Sequence, residues 1–382
     1  MNDLSGFWNA DKKVGIRNHV IVLSLSVFSN TAARNIASII DGTVPLLHPH
    51  GRAEIGVNKF RLEENLIGQV INPNVQSALI VGYEGKTTNT YVKRLKALTN
   101  KPIEFLNVLQ EGTLGAVESG ARKALELATL ASEVRREPME LKDLTVGIKC
   151  GSTDATSGIA SNPAVGKAVD FIVNSGGSAV FSETTEIMGA EHILVKRAKD
   201  ESVASKILQA VRNNEKTALD NGVDLLGINP VPDNIEGGIS TIEEKSLGAI
   251  LKSGNTTIMD VLQLGERIVE PGLYFLDYPA AAQEVLTALT STGCQLILFS
   301  TGVGNPSGTP IAPVIKVSGN SRTISRIGDH IDIDVSGIIS KGMKYEEAGK
   351  MILENVKNTI NGRRTRAELL RHNEFSPVAV GL

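Results

Sequence analysis

The densest group of residues that could do chemistry lies in the segment FSETTEIMGAEH, residues 181–192. It directly follows GGSAVF, an apolar run that predicts a buried strand. Its candidate site residues are three carboxylates, two threonine hydroxyls and one imidazole: Glu183, Glu186, Glu191, Thr184, Thr185 and His192. We predict catalytic roles for the four ionisable residues and substrate contacts for the threonines. For Glu183 and Glu186, a purely structural role near the positive end of a helix dipole is the alternative.

Glu191 needs a special environment, because it falls on the apolar stripe of a helix predicted from 186 to 200. An unpaired carboxylate in a core is costly, so Glu191 must be partnered, protonated or at the edge of a cleft.

Three further loops rich in polar residues follow predicted strands: KCGSTDATSG after 144–150, NPVPDN after 224–229 and TGVGNPSG after 294–301. Ligands of parallel α/β sheets bind beyond the carboxyl ends of strands. We therefore expect these loops to converge on one polar cleft, although any single one could be a solvated loop. Their candidate site residues are Cys150 and Asp154 as metal ligands, and Asn229, Asn234, Thr301, Gly302 and Gly304 as substrate contacts.

The glycines of TGVGNPSG allow backbone N–H groups to converge on an anion, although a plain turn explains the same composition. Lys316, on the next predicted strand, could reach that anion.

In STIEEKS (240–246), Glu244 matches a capping box with Thr241, so it is assigned a structural role. Glu243 is a candidate metal ligand and Lys245 a candidate catalytic residue; exposed helix charge is the alternative for both.

Two His-containing segments could bind a metal. HPHGR places His48, His50 and Arg52 in one loop, which could hold a metal ion or a substrate carboxylate. GDHIDID (328–334) predicts a strand with alternating polar residues, which is more often a solvated face than a Mg²⁺ or Fe²⁺ site.

Apolar runs and helical periodicity alternate along the chain, which predicts parallel sheets covered by helices. The predicted strands are 19–28, 77–85, 102–108, 144–150, 178–182, 224–229, 272–277, 294–301 and 312–319. A charged, proline-containing segment at 132–144 marks a domain boundary. The predicted fold is α/β, with an N-terminal domain at 1–135 and a C-terminal domain at 136–382 that carries most of the site.

Composition excludes several classes of protein. The 382 residues are 41% apolar and 21% charged, with a net charge of −3, which disfavours a nucleic-acid or membrane partner. The 2 cysteines cannot form a disulfide framework, so we expect a cytoplasmic protein. No HExxH or CxxC motif is present. A nicotinamide dehydrogenase is disfavoured because no GxGxxG opens the first strand–helix unit.

Long segments resemble the altronate/galactarate dehydratase family, which also contains the sulfolactate sulfo-lyase large subunit. They are KVGIRNHVIVLSLSVFSN, KCGSTDATSGIASNPAVGKAVD, SETTEIMGAEHIL, NPVPDNIEGGISTIEEKSLGA and FSTGVGNPSGTPIAPVIKVSGN. The first looks like the family's GxRN-plus-strand signature and suggests substrate contacts for Arg17 and Asn18. The resemblance implies a cytoplasmic lyase that removes a group β to the carboxylate of a small 2-hydroxy acid. It also implies a divalent metal, Fe²⁺ or Mg²⁺/Mn²⁺.

The chain departs from the family pattern at two places. Arg52 stands where a HxxGC segment has its Cys, and GYEGK (82–86) stands where GLGCE is common, so only Cys150 remains. The sequence starts at the GxRN region, without the small N-terminal domain of single-chain dehydratases. These features favour the split branch of the family, in which that small SAF-type domain is a separate subunit. We also expect a homo-oligomer.

Elimination from a 2-hydroxy acid requires a base to remove a carbon-bound proton and fixed positive charge to stabilise the enediolate. Lys245 or His192 is the candidate base, and Glu183, Glu186 and Glu191 are candidates for ligation or support. We predict elimination of water from a sugar acid, with (2R)-sulfolactate as the alternative substrate. A non-catalytic subunit with a decayed site is the alternative from another class.

Overall fold

The computed structural model describes residues 3–225, 229–279 and 282–378. The N-terminal domain is built on a parallel sheet of four strands in the order β4-β3-β5-β6. These strands are β3 (His19–Ser24), β4 (Thr43–Leu46), β5 (Val75–Gly82) and β6 (Ile103–Asn107). A small antiparallel sheet in the order β2-β1-β7 joins the two ends of this domain. Its strands are β1 (Leu4–Trp8), β2 (Val14–Gly15) and β7 (Arg136–Met139).

The C-terminal domain contains a seven-stranded parallel sheet in the order β10-β11-β9-β8-β12-β13-β14. Its strands are β8 (Thr145–Cys150), β9 (Ser178–Ser182), β10 (Ile258–Leu262), β11 (Leu273–Leu276), β12 (Leu296–Ser300), β13 (Val314–Ser318) and β14 (Ile333–Asp334). The predicted α/β fold with parallel sheets is therefore confirmed.

Helices cover both faces of both sheets. They are α1 (Asn30–Ile39), α2 (Gly56–Ile71), α3 (Gly85–Leu98), α4 (Val108–Glu133), α5 (Asn162–Asn174), α6 (Glu191–Val195), α7 (Glu201–Asp220), α8 (Pro232–Glu236), α9 (Ile242–Ile250), α10 (Ala282–Ser291), α11 (Ser321–Ile327), α12 (Gly337–Ser340), α13 (Tyr345–Ile360) and α14 (Arg366–Leu369). Within the described ranges, no helix combines the length and the apolar character that a bilayer crossing requires.

The central strands are buried on both faces, which explains why their sequences are nearly continuous apolar runs. Every residue of β9, β12 and β13 is buried. On one face of the N-terminal sheet, apolar residues of α1 and α4 form the core, and on the other those of α2 and α3. In the C-terminal domain, α5, α7 and α13 cover one face and α10 covers the other.

The two domains are joined by buried amide side chains near the end of α2. Gln69 Nε2 donates to Ser291 Oγ at 2.8 Å, and Asn72 Nδ2 donates to the carbonyl of Thr290 at 2.7 Å. Asn74 Nδ2 reaches the carbonyl of Gln295 at 2.7 Å. Because these amides are buried and hydrogen-bonded, they fix the position of the N-terminal domain against α10.

Two predicted elements are wrong. The helix predicted from 186 to 200 is interrupted: a 3₁₀ turn at Thr184–Glu186 precedes the short helix α6, because Gly189 between them has a φ of 85°. The strand predicted at 328–334 is mostly a 3₁₀ turn, Gly328–His330, and only the two residues of β14 pair. There the backbone N–H of Asp332 donates to the carbonyl of Lys316 at 3.0 Å, and Asp332 Oδ2 accepts from the backbone N–H of Lys316 at 2.8 Å.

The strand predicted at 224–229 falls mainly on residues outside the described ranges. β10 and β4 were not among the predicted strands, because each is short and only partly buried.

Candidate active site

The ends of β8 and β9 bring a lysine and two glutamates together inside the protein. Lys149, on β8, forms an ion pair with Glu183, the residue that follows β9, and also donates to the carbonyl of Cys150. Its Nζ lies 3.5 Å from Glu186 Oε1. The side chains of Lys149, Glu183 and Glu186 are only 2%, 10% and 3% exposed. A buried charge must be paired, so these contacts are a condition for the fold as well as for any chemistry.

A second lysine completes this group. Lys252 Nζ lies 2.5 Å from Glu186 Oε2, and its side chain is 1% exposed. It comes from the 3₁₀ turn Leu251–Ser253 that directly follows α9. We call Lys149, Glu183, Glu186 and Lys252 the Lys–Glu cluster; it alternates in charge and has no net charge when all four are ionised.

The two carboxyl groups of the cluster differ in acidity. Burial raises the pKa of Glu186, but the ammonium groups of Lys149 and Lys252 outweigh burial and lower this pKa to about 2. Burial and the neighbouring charge of Glu186 raise the pKa of Glu183, and Lys149 only partly opposes them. Glu186 therefore stays ionised, whereas Glu183 is the carboxylate of the two that takes up a proton more readily.

Glu183 has an unusual backbone conformation, with φ 83° and ψ 88°. Positive φ is costly for a residue other than glycine, and such strain persists where surrounding contacts hold it. Here the next residue, Thr184, is held on both sides. Its backbone N–H donates to the carbonyl of Tyr278 at 3.1 Å, and its Oγ1 donates to Asp277 Oδ1 at 2.8 Å. The turn thereby directs the Glu183 carboxylate to Lys149; Thr185 is buried in the same turn.

Lys245 lies beside the cluster and is half-buried on α9. Its Nζ donates to Asn229 Oδ1 at 2.8 Å and to Asn234 Oδ1 at 3.0 Å, and Asn234 in turn donates to the carbonyl of Thr153 at 2.9 Å. Its charge helps to lower the pKa of Glu186. No carboxylate of the described chain lies within ion-pair distance of Lys245. Two neutral acceptors leave one N–H of this ammonium group for another partner.

The loop after β8 also lies at this edge. Cys150 Sγ is 3.2 Å from Thr153 Oγ1, and the thiol is fully buried. Asp154 holds the loop together: Oδ1 accepts from Thr156 Oγ1 at 2.6 Å, and Oδ2 accepts from Asn320 Nδ2 at 2.7 Å. Asp154 therefore connects the loops that follow β8 and β13.

The glycine loop after β12 meets the same loop, but its N–H groups are already used. Gly302 and Val303 donate from their backbone to the carbonyl of Ser152 at 3.1 and 2.9 Å, and Gly304 donates to Thr301 Oγ1 at 3.1 Å. In this arrangement these three donors shape the loop and do not point to an anion.

Lys316 lies on β13, two strands away from Lys149, and is fully buried. Its Nζ is 3.4 Å from His372 Nδ1, and burial lowers its pKa to about 8. The structure thus does not bring Lys316 into the Lys–Glu cluster.

Other predicted site residues lie at the surface or hold the fold. His192 and Glu243 are exposed, and Glu191 is half-buried with an Oε2 that lacks a hydrogen-bond partner among the described residues. Arg17 is fully engaged, with Nε 2.7 Å and Nη2 2.8 Å from the two carboxylate oxygens of Glu368.

The remaining candidates lie in the N-terminal domain. Asn18 Nδ2 donates to the carbonyl of Ala131 at 2.8 Å. His48 is buried, with Nε2 bonded to the carbonyl of Ser24 at 2.9 Å and Nδ1 accepting from the backbone of His50. The imidazole of His50 lies 3.3 Å from Glu54, and Arg52 forms an ion pair with Glu84.

The implied divalent metal does not fit the side chains at this edge. Throughout the described part of the chain, no three His, Cys, Asp or Glu side chains form a group that could hold a metal ion. Glu183 and Glu186 are neutralised by lysines, and the pKa of Cys150 is raised by burial and by Glu186, so its thiol stays protonated. Metal ligands must be deprotonated and free to coordinate. The metal stays a prediction, and no step proposed below uses it.

Lys149 and Lys252 were not predicted from the sequence as site residues. Both form ion pairs with glutamates that were predicted, Glu183 and Glu186. The available signal was a lysine inside an apolar strand, TVGIKC, since such a lysine must find a buried partner. Lys252 gives a weaker signal, because a lysine at a helix end is common on protein surfaces.

Comparison with known proteins identifies the family to which this chain belongs. The family model described as "D-galactarate/Altronate dehydratase, C-terminal" matches residues 141–382, and "D-galactarate dehydratase/Altronate hydrolase, second domain" matches residues 6–132. The (2R)-sulfolactate sulfo-lyase subunit beta of Chromohalobacter salexigens is 41% identical over 97% of this chain and 95% of its own. Altronate dehydratase of Escherichia coli is 30% identical over 97% of this chain and 76% of its own. Altronate dehydratase of Bacillus subtilis is also 30% identical, over 90% of this chain and 70% of its own. With both domains matched, the chain belongs to the D-galactarate/altronate dehydratase family.

Proposed function

We propose that this protein is a lyase that eliminates the group β to the carboxylate of a small 2-hydroxy acid, with (2R)-sulfolactate as the first candidate substrate. The observation that carries this proposal is the buried Lys–Glu cluster with Lys245 beside it, at the carboxyl edge of the C-terminal sheet. The names of the relatives indicate that the family includes a sulfo-lyase, which releases sulfite, and dehydratases, which release water. Identity of 41% over nearly the whole length of both chains favours the sulfite-releasing reaction.

Charge supports an anionic substrate. Lys149, Lys252 and Lys245 supply three positive charges near the two negative charges of Glu183 and Glu186. The excess positive charge lies on Lys245, whose third N–H has no acceptor in the arrangement described above. A substrate carboxylate bound there would complete its hydrogen bonds and balance the charge.

Glu183 is the proposed base. Its raised pKa gives the carboxylate more affinity for a proton than an ordinary glutamate has, and its side chain is the most exposed in the cluster. Glu183 removes the proton from the carbon that bears the hydroxyl and the carboxylate. The ammonium group of Lys245 then stabilises the enediolate charge that develops on the substrate carboxylate.

The electron balance follows directly. The electron pair of the broken C–H bond forms the double bond between the two carbons, and the C–S bond breaks with its pair staying on sulfite. The organic product is the enol of pyruvate, which becomes pyruvate when a proton returns to the terminal carbon. No oxidant or reductant is required.

Water elimination from a sugar acid is the second candidate, favoured by altronate dehydratases that match 97% and 90% of this chain. Hydroxide is a poor leaving group and needs a proton as it departs. Glu183, protonated after it has taken the substrate proton, can donate that same proton to the hydroxyl. The product is then a 2-keto-3-deoxy acid.

Product analysis tests the proposal. Purified protein, alone and together with a candidate small subunit, is incubated with (2R)-sulfolactate, altronate and galactarate in parallel. Pyruvate and sulfite formed in equal amounts support the first candidate, and a 2-keto-3-deoxy acid supports the second. No product from any of these substrates, with both subunits and added Fe²⁺, Mg²⁺ or Mn²⁺, would favour the non-catalytic subunit.

We also propose a separate small partner subunit, since a relative that matches this chain over nearly the whole length of both chains is named a beta subunit. Co-expression with a candidate small subunit, followed by purification through a tag on this chain, tests the association. A homo-oligomer stays a prediction, which light scattering would measure. Metal analysis of the same preparation measures whether a stoichiometric metal is bound.

A further inference from the structure

We propose a second ligand site, for a small oxyanion, at the carboxyl edge of the N-terminal sheet between β3 and β5. None of the residues that line it belongs to the Lys–Glu cluster. The site does not depend on the proposed lyase activity.

Strand order singles out this position. In the order β4-β3-β5-β6, the chain runs from β3 to β4 on one side, and then returns to β5 on the other side of β3. In open parallel sheets, ligands bind in the crevice where the strand order reverses in this way. The crevice here lies between Leu25 and Ser26, which follow β3, and Tyr83 and Glu84, which follow β5.

The crevice is open. A cleft of about 620 Å³ extends between α2 and α3, and a recess of about 40 Å³ adjoins it. The two share five lining residues: Leu25, Gly51, Arg52, Glu84 and Thr87. The recess alone has room for little more than one water molecule, so a ligand larger than water would extend from the recess into the cleft.

Two buried hydroxyl groups along this crevice lack hydrogen-bond partners. Ser26 lines the recess and is 5% exposed, and its Oγ is buried without a partner among the described residues. Tyr91 lines the larger cleft, and its phenol oxygen is buried and unpartnered in the same sense. Such groups are rare in folded proteins because each one loses its hydrogen bonds to water. An acceptor oxygen of a bound ligand would satisfy a hydroxyl group of this kind.

The first turn of α3 adds backbone donors. The helix has 14 residues, and Glu84 at its N-cap makes no side-chain capping bond. The first intrahelical hydrogen bond is from Thr88 N–H to the carbonyl of Glu84. The N–H groups of Gly85, Lys86 and Thr87 have no partner within the helix, and the helix dipole makes this end attractive to anions.

The charges of the cleft favour an anion. Its lining includes four cationic side chains and three carboxylates: Arg52, Lys59, Lys86 and Arg94, and Glu54, Glu63 and Glu84. Glu63 and Glu84 pair with three of these cations, Lys59, Arg94 and Arg52, so Lys86 is the cation of this lining that no described carboxylate pairs. Glu54 accepts from Gly51 N–H at 2.9 Å and lies beside His50, whereas Glu84 is paired with Arg52.

Arg52 is held in place for such a ligand. Its guanidinium carbon lies 5.3 Å from the centre of the Phe28 ring and 5.7 Å from that of Tyr83. This arrangement leaves a planar donor group fixed at the edge of the recess. A carboxylate, sulfonate, sulfate or phosphate group shares the chemistry that these donors recognise.

Binding of inorganic anions to the full-length protein tests the proposal. Sodium sulfate, phosphate and acetate are titrated by calorimetry at constant ionic strength maintained with sodium chloride. The variants are Arg52→Gln and Ser26→Ala, with Arg122→Gln as the matched control, since Arg122 is an exposed arginine on α4 that pairs with Glu118. We expect saturable binding that is at least about tenfold weaker in Arg52→Gln and unchanged in Arg122→Gln.

Thermal denaturation of each variant without anion separates loss of binding from loss of folding. If Arg52→Gln is unstable, Ser26→Ala, which removes one buried hydroxyl, must still weaken binding. Absence of saturable binding by all three anions would overturn the proposal. So would binding that is unchanged in Arg52→Gln and Ser26→Ala but lost in Lys245→Gln, because the anion would then occupy the C-terminal site.

Discussion

Glu183 and Glu186 lie three positions apart, and their surroundings shift their pKa values in opposite directions. Glu186 lies between Lys149 and Lys252, and its pKa is lowered to about 2. Glu183 has one lysine partner and a raised pKa. A pair of acids with pKa values driven apart is the arrangement expected where one group is fixed in charge and the other exchanges protons.

Replacing Glu183 by Gln tests this difference. We expect turnover to fall by about 10²–10⁴-fold, because the amide cannot accept the substrate proton. Steady-state kinetics on the substrate identified by product analysis would measure the loss, with circular dichroism to confirm folding. Glu215→Gln, an exposed position on α7, is the control. Turnover within a factor of two of the wild-type value in Glu183→Gln would remove Glu183 as the base.

The raised pKa of Glu183 also predicts how kcat/KM changes with pH. Only the deprotonated carboxylate can act as the base, so kcat/KM should rise with pH through the raised pKa of Glu183. In Glu183→Gln, any remaining activity should lose this rising limb. A profile with the same limb in both proteins would assign the titration to another group.

The lysine partners should matter for stability. Lys252→Met leaves one side of the buried Glu186 carboxylate unpaired, which we expect to lower the free energy of unfolding by about 3 kcal/mol. Glu186→Gln in the same protein should restore part of that loss, since the uncompensated charge is removed. Urea denaturation of the two single variants and the double variant gives this coupling. Strictly additive losses would show that the two groups do not interact.

At the scale of single residues, the sequence identified the glutamates of the Lys–Glu cluster but not its lysines. Glu183 and Glu186 could be singled out because charge directly after a buried strand is unusual. Lys149 lies within the strand itself, and Lys252 lies 66 positions from its partner Glu186. Which lysine meets which glutamate depends on strand order, and the sequence alone does not specify that order.

At the scale of elements, the loops at the carboxyl edge of the C-terminal sheet pack closely, with the backbone of Gly302 against the side chain of Asp154. A Cβ at Gly302 would lie 2.1 Å from Asp154 Oδ1, and Asp154 ties the β8 loop to Asn320. We expect Gly302→Ala to lower the free energy of unfolding by about 2 kcal/mol and to reduce activity, because Asp154 must move. Thermal denaturation and kinetics would measure both effects.

Gly328→Ala is the matched control for this substitution. A Cβ there meets nothing within 4 Å, and the residue has a helical φ of −60°. Its stability should be unchanged or slightly higher, because alanine restricts the unfolded chain. Equal losses in the two variants would show that the approach of Gly302 to Asp154 is not what matters.

Strands were the elements best predicted, because burial on both faces leaves a continuous apolar run such as LILFS in β12. The failures have local causes. Gly189 interrupts what helical periodicity presents as one helix, and a 3₁₀ turn at Gly328–His330, next to the contacts of Asp332 with the backbone of Lys316, takes the place of the strand predicted before β14. Neither a positive φ nor a contact with a distant backbone can be read from hydrophobic periodicity.

For the whole molecule, a buried histidine predicts acid sensitivity. Burial lowers the pKa of His48 from 6.5 to about 4, although its hydrogen bond to Ser24 opposes this change. The unfolded chain therefore takes up a proton that the folded chain does not. The resulting stability is fully present above pH 6.5 and is lost as pH falls towards 4, by about 3 kcal/mol in total.

Urea denaturation at several pH values between 7.5 and 4.5, on the wild type and on His48→Gln, would measure this contribution. The variant should start from a lower stability, because its bond to Ser24 is altered, and should lose less as the pH falls. Parallel pH dependence in the two proteins would assign the acid sensitivity to other groups.

The segment containing Pro377 and Val378 completes the core of the first domain. Val378 is 2% exposed and packs with Leu62, Leu66 and their neighbours, and the carbonyl of Pro377 accepts from Asn65 Nδ2 at 2.7 Å. During synthesis, residues 3–130 therefore leave the ribosome with a gap in their interior that Val378 fills later. A chain that stops after His372 should bind a hydrophobic dye through that gap, and a truncated chain with no increase in dye fluorescence would show that the first domain closes unaided.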